Sequence, residues 1–187
     1  MEVHEAKLTD VLMIVPVIHG DERGFFHETY RRDQLAATPL RSVEFVQENH
    51  SRSAAGVLRG MHFQVGEGIG KLVRCPRGAI FDVVVDLRRG SPTFAGWEGF
   101  ELDDESLRQL WVPVGFAHGF LTRSAVADVI YKQTGYYDPA LERAIAWNDP
   151  DVAVRWPLEG APVLSAKDAA APRLADIADE LPFTYEV

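Results

Sequence analysis

Gly56-Val57-Leu58-Arg59-Gly60-Met61-His62-Phe63-Gln64, followed later by Pro113-Val114-Gly115-Phe116-Ala117-His118, has the spacing of the two halves of a small-barrel metal site. The halves read G-x5-H-x-H and P-x-G-x-x-H. Gln64 holds the place of the second histidine, and the acidic ligand that would follow is absent, its places taken by Gly68 and Ile69. Two histidines alone make a poor zinc or iron site, because such sites draw three or four ligands from the protein. The pattern predicts a β-barrel whose pocket has turned to metal-free chemistry, with no cofactor.

The sequence on either side agrees with a mainly β chain. Val11–Ile18, Gly24–Tyr30, Val43–Asn49, Val57–Gln64, Lys71–Cys75, Ile80–Leu87, Gly96–Leu102, Arg108–Pro113, His118–Thr122 and Ala127–Thr134 read as strands. Turn formers separate them, among them Gly20-Asp21-Glu22, Pro76-Arg77-Gly78 and Arg89-Gly90-Ser91-Pro92. Regularly spaced short strands of this kind indicate a sandwich or barrel. Helix signals are few: Arg31–Ala37 in a connection, a capping-box pattern at Ser165-Ala166-Lys167-Asp168, and a last short helix over Leu174–Leu181. With no repeat or linker, residues 1–187 are expected to form one domain.

Composition narrows the function. Of the 187 residues 47% are apolar and 25% charged, as in an ordinary globular protein with a substantial core. A formal charge of −9 argues against a nucleic-acid surface, which needs clustered Lys and Arg. A few basic groups in one pocket still suffice for a small anion. There is no apolar run of about 18 residues to cross a membrane, and no apolar signal segment at the start. A single cysteine, Cys75, fits a reducing cytoplasm.

Several residues stand out as chemical groups. His62 sits where a barrel metal site places its first ligand, so its imidazole should face the cavity and serve as a general base. Such a base needs a carboxylate on its other ring nitrogen; Asp168 and Asp82 compete for that role, and spacing does not choose between them. In Ile80–Leu87, Phe81, Val83, Val85 and Leu87 fall on one face and Asp82, Val84 and Asp86 on the other, so the acidic face either lines a polar cavity or satisfies local partners. His118 is read as a hydrogen-bond donor to substrate. Lys71, Arg59, Arg23 and Lys167 are basic residues beside glycine or inside strand patterns, with surface solvation as the alternative. Arg59 and His62 are three apart, on opposite faces of a regular strand, unless Gly60 hosts a bulge. Tyr131 and the pair Tyr136-Tyr137 supply phenols that remain protonated at pH 7.

Asp21-Glu22-Arg23-Gly24-Phe25-Phe26-His27-Glu28, Phe45-Val46-Gln47-Glu48-Asn49-His50-Ser51, Leu58–Gln64, Lys71–Arg74, Phe81–Arg88, Trp111–Phe120, Tyr131-Lys132, Trp147–Pro150 and Leu164–Pro172 together resemble the dTDP-4-dehydrorhamnose 3,5-epimerase family. The resemblance covers nearly the whole chain. It implies a cupin-type jelly-roll antiparallel barrel, a homodimer and a metal-independent isomerase. The implied reaction inverts C3 and C5 of dTDP-4-keto-6-deoxyglucose. The resemblance matches the base to His62, its aspartate to Asp168 and the proton donor to Tyr131. It places Arg23, Glu28, Gln47, Asn49, Arg59, Lys71, His118, Glu142 and Lys167 against the substrate. Carbanion chemistry beside a ketone needs a base, an acid and a cation at the oxygen, and Lys71 fills the last role. Departures such as Glu48, Met61 and a short loop 65–70 touch none of the matched catalytic positions. A C3-only or C5-only epimerase, or a non-catalytic sugar-binding cupin, is the alternative.

Overall fold

The computed structural model describes residues 1–185. Thirteen strands run as β1 (Glu2–Glu5), β2 (Leu12–Val15), β3 (His19–Asp21), β4 (Gly24–Phe26), β5 (Gln47–Ala54), β6 (Leu58–Gln64) and β7 (Lys71–Arg77). They continue as β8 (Ala79–Asp86), β9 (Trp97–Asp103), β10 (Gln109–Val112), β11 (Phe116–Thr122), β12 (Val126–Gln133) and β13 (Glu142–Ala144). The α-helices are single turns: α1 (Arg32–Leu35), α2 (Ala166–Ala169) and α3 (Leu174–Ile177). No helix among the described residues is long and apolar enough to cross a membrane.

The strands form a six-stranded sheet, β1-β2-β10-β7-β12-β5, and a five-stranded sheet, β13-β6-β11-β8-β9. Every pairing is antiparallel, and the two sheets face each other as a jelly roll. The mainly β, cupin-like architecture expected from the sequence is present, but the sheets do not close into a continuous barrel. Among the described residues, no hydrogen-bonded ladder joins the edge strands of one sheet to those of the other. The hairpin β3–β4 pairs only with itself and leaves Phe25 and Phe26 exposed, at 59% and 67%.

Three apolar layers follow from strand alternation. Inward-facing Val73, Cys75, Ile80, Val84, Leu110, Phe120 and Val129 fill the space between the sheets. On the outside of the five-stranded sheet, Phe63, Val83, Val85 and Leu87 lie under Val152, Leu174, Leu181 and Phe183 of the C-terminal segment. The opposite outer face, with Leu12, Leu72 and Trp111, is covered by Leu35 and Leu40. Each buried side chain of this size contributes roughly 1.5–3 kcal/mol, so these four in the C-terminal segment hold it firmly against the sheet.

Some boundaries differ from the expected ones. The strand expected over Val43–Asn49 begins at Gln47 and runs on to Ala54. Its sequence is polar on both faces because the inner row meets a cavity and the outer row meets solvent, so hydrophobic alternation gives no signal. Gly24–Tyr30 is a strand only to Phe26. The strands β1, β3 and β13, of three or four residues each, are too short for alternation to mark them in the sequence.

Candidate active site

The register of the six-stranded sheet assembles one wall of the site. On β12, Tyr131 pairs with Asn49 of β5 and Val73 of β7; two residues on, Gln133 pairs with Gln47 and Lys71. Paired residues share a face, so Tyr131, Gln133, Asn49, Gln47 and Lys71 all project toward the interior at the same end of the sandwich. The opposite wall comes from β6 and β11, where His62 pairs with His118. The next register pair is Arg59 with Phe120, so three residues of β6 span two of β11. That is a bulge at Gly60, and it brings Arg59 and His62 to the same face. Only glycine fits: φ is +127° and a Cβ would lie 2.5 Å from the Gly119 Cα.

His62, Phe63, Gln64, Ile69, Lys71, Tyr131, Gln133, Tyr137 and Glu142 line the resulting cavity. Behind it, His62 Nε2 lies 2.6 Å from Asp168 Oδ1. Asp168 comes from α2, where Ser165 forms the N-cap by accepting the Asp168 backbone N–H. The Ser165 hydroxyl then donates to Asp168 Oδ2 at 2.8 Å. The S-x-x-D pattern therefore caps its helix, but its carboxylate is turned to His62 and the serine hydroxyl. Asp82, the rival carboxylate, sits instead 2.9 and 3.0 Å from His118 Nε2. Asp86 binds Arg88, Ser91 and Thr93 at the strand end.

Each titratable group has a distinct environment. Burial is the largest influence on His62 and lowers its pKa; Asp168 partly offsets this, and the nearby Lys71 lowers it further. The imidazole is therefore held neutral at neutral pH. Burial lowers Lys71 to about 8, against the opposing attraction of Asp82 and Glu142. Burial raises Tyr131, with the Asn49 amide opposing it. For Glu142, burial works to raise the pKa, but hydrogen bonds from Lys167 and Tyr137 outweigh it and the group is lowered.

The other expected residues occupy different distances from this centre. Glu142 lines the cavity, pairs with Lys167 and accepts the Tyr137 hydroxyl at 2.7 Å. Gln47 and Asn49 are linked to each other at 2.9 Å. Arg59 donates to Ser53 Oγ at 2.9 Å. His118 is buried, at 7%, and is not part of the cavity lining. Arg23 and Glu28 are not brought to this cavity within one chain: Arg23 pairs with Asp21 in the β3–β4 hairpin, and Glu28 with Arg31 and Gln34.

Sequence reasoning missed Gln133 and the role of Gln64. Gln64 donates to the Tyr136 carbonyl at 3.2 Å and accepts the Asp138 N–H at 2.9 Å, so it clamps the tyrosine loop against β6. The metal-site spacing marks Gln64 only as a missing ligand, and no spacing rule marks Gln133. Among the described residues, no group of three or more His, Cys, Asp or Glu side chains gathers as a metal site needs. A larger cleft of about 450 Å³ lies beyond the Glu142–Lys167 pair, under the C-terminal segment. Its walls are mostly apolar and it holds none of the His62, Lys71 and Tyr131 set, which gathers at the smaller cavity instead.

Comparison with known proteins points the same way. The family model described as dTDP-4-dehydrorhamnose 3,5-epimerase matches residues 5–176. A Salmonella typhimurium dTDP-4-dehydrorhamnose 3,5-epimerase is 53% identical over 175 residues, 93% of this chain and 96% of its own. A Legionella pneumophila epimerase, solved in complex with dTDP-4-keto-L-rhamnose, superposes with a TM-score of 0.96 at 46% identity, covering 100% of this chain and 99% of that one. A 3'-monoepimerase from Streptomyces bikiniensis, in complex with dTDP-quinovose, gives 0.87 at 34% identity, covering 95% and 90%. This chain belongs to the dTDP-4-dehydrorhamnose 3,5-epimerase family.

Proposed function

We propose that this chain inverts C3 and C5 of dTDP-4-keto-6-deoxy-D-glucose to give dTDP-4-keto-L-rhamnose by acid–base chemistry on its own side chains. The observation that carries the reading is the convergence of His62, backed by Asp168, with Lys71 and Tyr131 from the facing sheet on one cavity. With Asp168 accepting from Nε2, the lone pair of His62 lies on Nδ1. Nδ1 takes the proton from the carbon beside the C4 ketone, and the electron pair moves onto the ketone oxygen as an enolate. The Lys71 ammonium stabilises that oxygen in a site where fixed charge is effective. Tyr131 returns a proton to the opposite face of the carbon. One proton leaves and one arrives, so the substrate's formula is unchanged; solvent restores both side chains before the second carbon reacts.

Glu142, Lys167, Arg59, Gln47 and Asn49 serve as substrate-binding groups, the cations toward the diphosphate, whereas His118, buried against Asp82 and outside the cavity lining, does not reach the substrate. Arg23 and Glu28 complete the site of a second copy: the hairpin that carries Arg23 projects Phe25 and Phe26 into solvent, an arrangement suited to docking in a homodimer. The single domain is assigned to the cytoplasm, with no nucleic-acid or membrane partner, on its one cysteine and its charge of −9. Incubation with dTDP-4-keto-6-deoxy-D-glucose in heavy water tests the reaction. Deuterium at both C3 and C5 is expected. Label at one carbon reduces the enzyme to a mono-epimerase, and binding without label makes it a sugar-binding protein. Light scattering tests the assembly, with a monomeric mass overturning the shared site.

A further inference from the structure

Gln133 is 4% exposed, yet it lines the cavity at the end of β12. A chain of amides fixes which of its two polar atoms meets the substrate. The backbone N–H of Tyr137, which can only donate, gives its hydrogen to Gln47 Oε1 at 3.0 Å. Gln47 therefore presents its NH2, and Nε2 donates to Asn49 Oδ1 at 2.9 Å. Asn49 Nδ2 donates in turn to Gln133 Oε1 at 2.7 Å. Each link sets the next, so the usual ambiguity between amide oxygen and nitrogen is removed by the first. The last group in the relay is the Gln133 NH2, which has no hydrogen-bond partner among the described residues. Because Gln133 lines the cavity and this NH2 is not sealed away from it, the donor is free to meet a ligand there.

We propose that the Gln133 Nε2–H donates to the C4 oxygen of the sugar beside Lys71, making a second donor to the enolate. The register supports the pairing: Gln133 and Lys71 are direct cross-strand partners on one inner face, and both line the cavity. Lys71 supplies charge, and Gln133 supplies direction. The inference rests on the enolate chemistry proposed above.

Two variants test it. Gln133→Met keeps the length of the side chain and removes the donor. Gln133→Glu keeps an acceptor for Asn49 but presents a carboxylate to Lys71 and to the oxygen. Turnover, KM, hydrogen exchange at C3 and C5, and affinity for dTDP alone are measured for both and for the unaltered protein. Loss of one donor to a developing oxyanion costs about 10²–10³-fold where it acts alone. With Lys71 still in place, Gln133→Met is expected to lower kcat roughly 10- to 100-fold, with KM changed much less. Gln133→Glu is expected to fall further, and dTDP affinity to stay unchanged in both. Rates within twofold of the unaltered protein in both variants overturn the inference, as does dTDP binding lost in step with turnover. So does a Gln133→Glu variant more active than Gln133→Met. If the unaltered protein exchanges no hydrogen, the enolate reading itself fails. If it exchanges normally while the variants match it, only the role of Gln133 fails.

Discussion

Two His–Asp pairs stand side by side on β6 and β11, and they have different work. His62 and His118 are cross-strand partners, and each has its Nε2 against a carboxylate. The side chain of His62 is 29% exposed and lines the cavity, while His118 and Asp82 are sealed at 7% and 0%. The carboxylates are also held differently. Asp168 arrives from a remote helical turn and takes a second hydrogen bond from Ser165; Asp82 belongs to β8, an interior strand of the sheet. On the proposed mechanism, the same chemical couple is a proton-transfer device where it lines the cavity and an internal strut where it is sealed.

Removing the two histidines should separate those roles most sharply. His62→Ala is expected to lower kcat by about 10²–10⁴-fold with little change in melting temperature, as loss of a positioned base does. His118→Ala leaves Asp82 buried without its partner, which typically costs about 3 kcal/mol or more. Its melting temperature should drop by several degrees, read by calorimetry. Equal thermal losses in the two variants would erase the distinction.

Asp168→Asn is the next test, expected to lower kcat about 10²-fold, since the amide no longer favours the ring tautomer with its lone pair on Nδ1. Nucleotide affinity should hold, because the change lies behind the histidine. A retained rate would mean that His62 needs no carboxylate.

The pH profile of kcat/KM gives a smaller, graded effect. His62 has a pKa depressed mainly by burial, so the basic form persists to below the usual 6.5, and activity falls only under that value. On the alkaline side Lys71, lowered to about 8, loses its charge first, and activity should decline through that region. Tyr131 is raised and stays protonated there. In Lys71→Arg, which keeps its charge, the alkaline limb should move upward; an unmoved limb would assign it elsewhere. Ser165→Ala is the mildest change. It costs about 1 kcal/mol of capping energy and a few-fold in kcat, with Ser165→Thr restoring both.

The strands around this pair were readable because alternation is a local property. Ile80–Leu87 separates into its two faces in sequence, and Gly60 marks the bulge that turns Arg59 toward His62. Spacing does not choose between Asp168 and Asp82, since the choice depends on a contact 106 residues apart in the chain; only the family resemblance points to Asp168. Gln133 is unmarked in the sequence for a related reason. An amide at a strand end acquires chemical direction only through neighbours on β5 and in the tyrosine loop. The polar strand β5 was misplaced because both of its faces meet polar surroundings. Arg23 and Glu28 carry a motif resemblance, yet a single chain leaves them away from the cavity.

The docking of the C-terminal segment has a consequence for the order of events in folding. Ser165 and Asp168 lie near the end of the chain, and Leu174, Leu181 and Phe183 fasten that end to the outer face of the sheet. A chain with both sheets formed but its tail unattached would display His62, Lys71 and Tyr131 and still lack the group that orients the base. On the proposed mechanism, turnover then also reports that residues 165–183 have docked on the sheet.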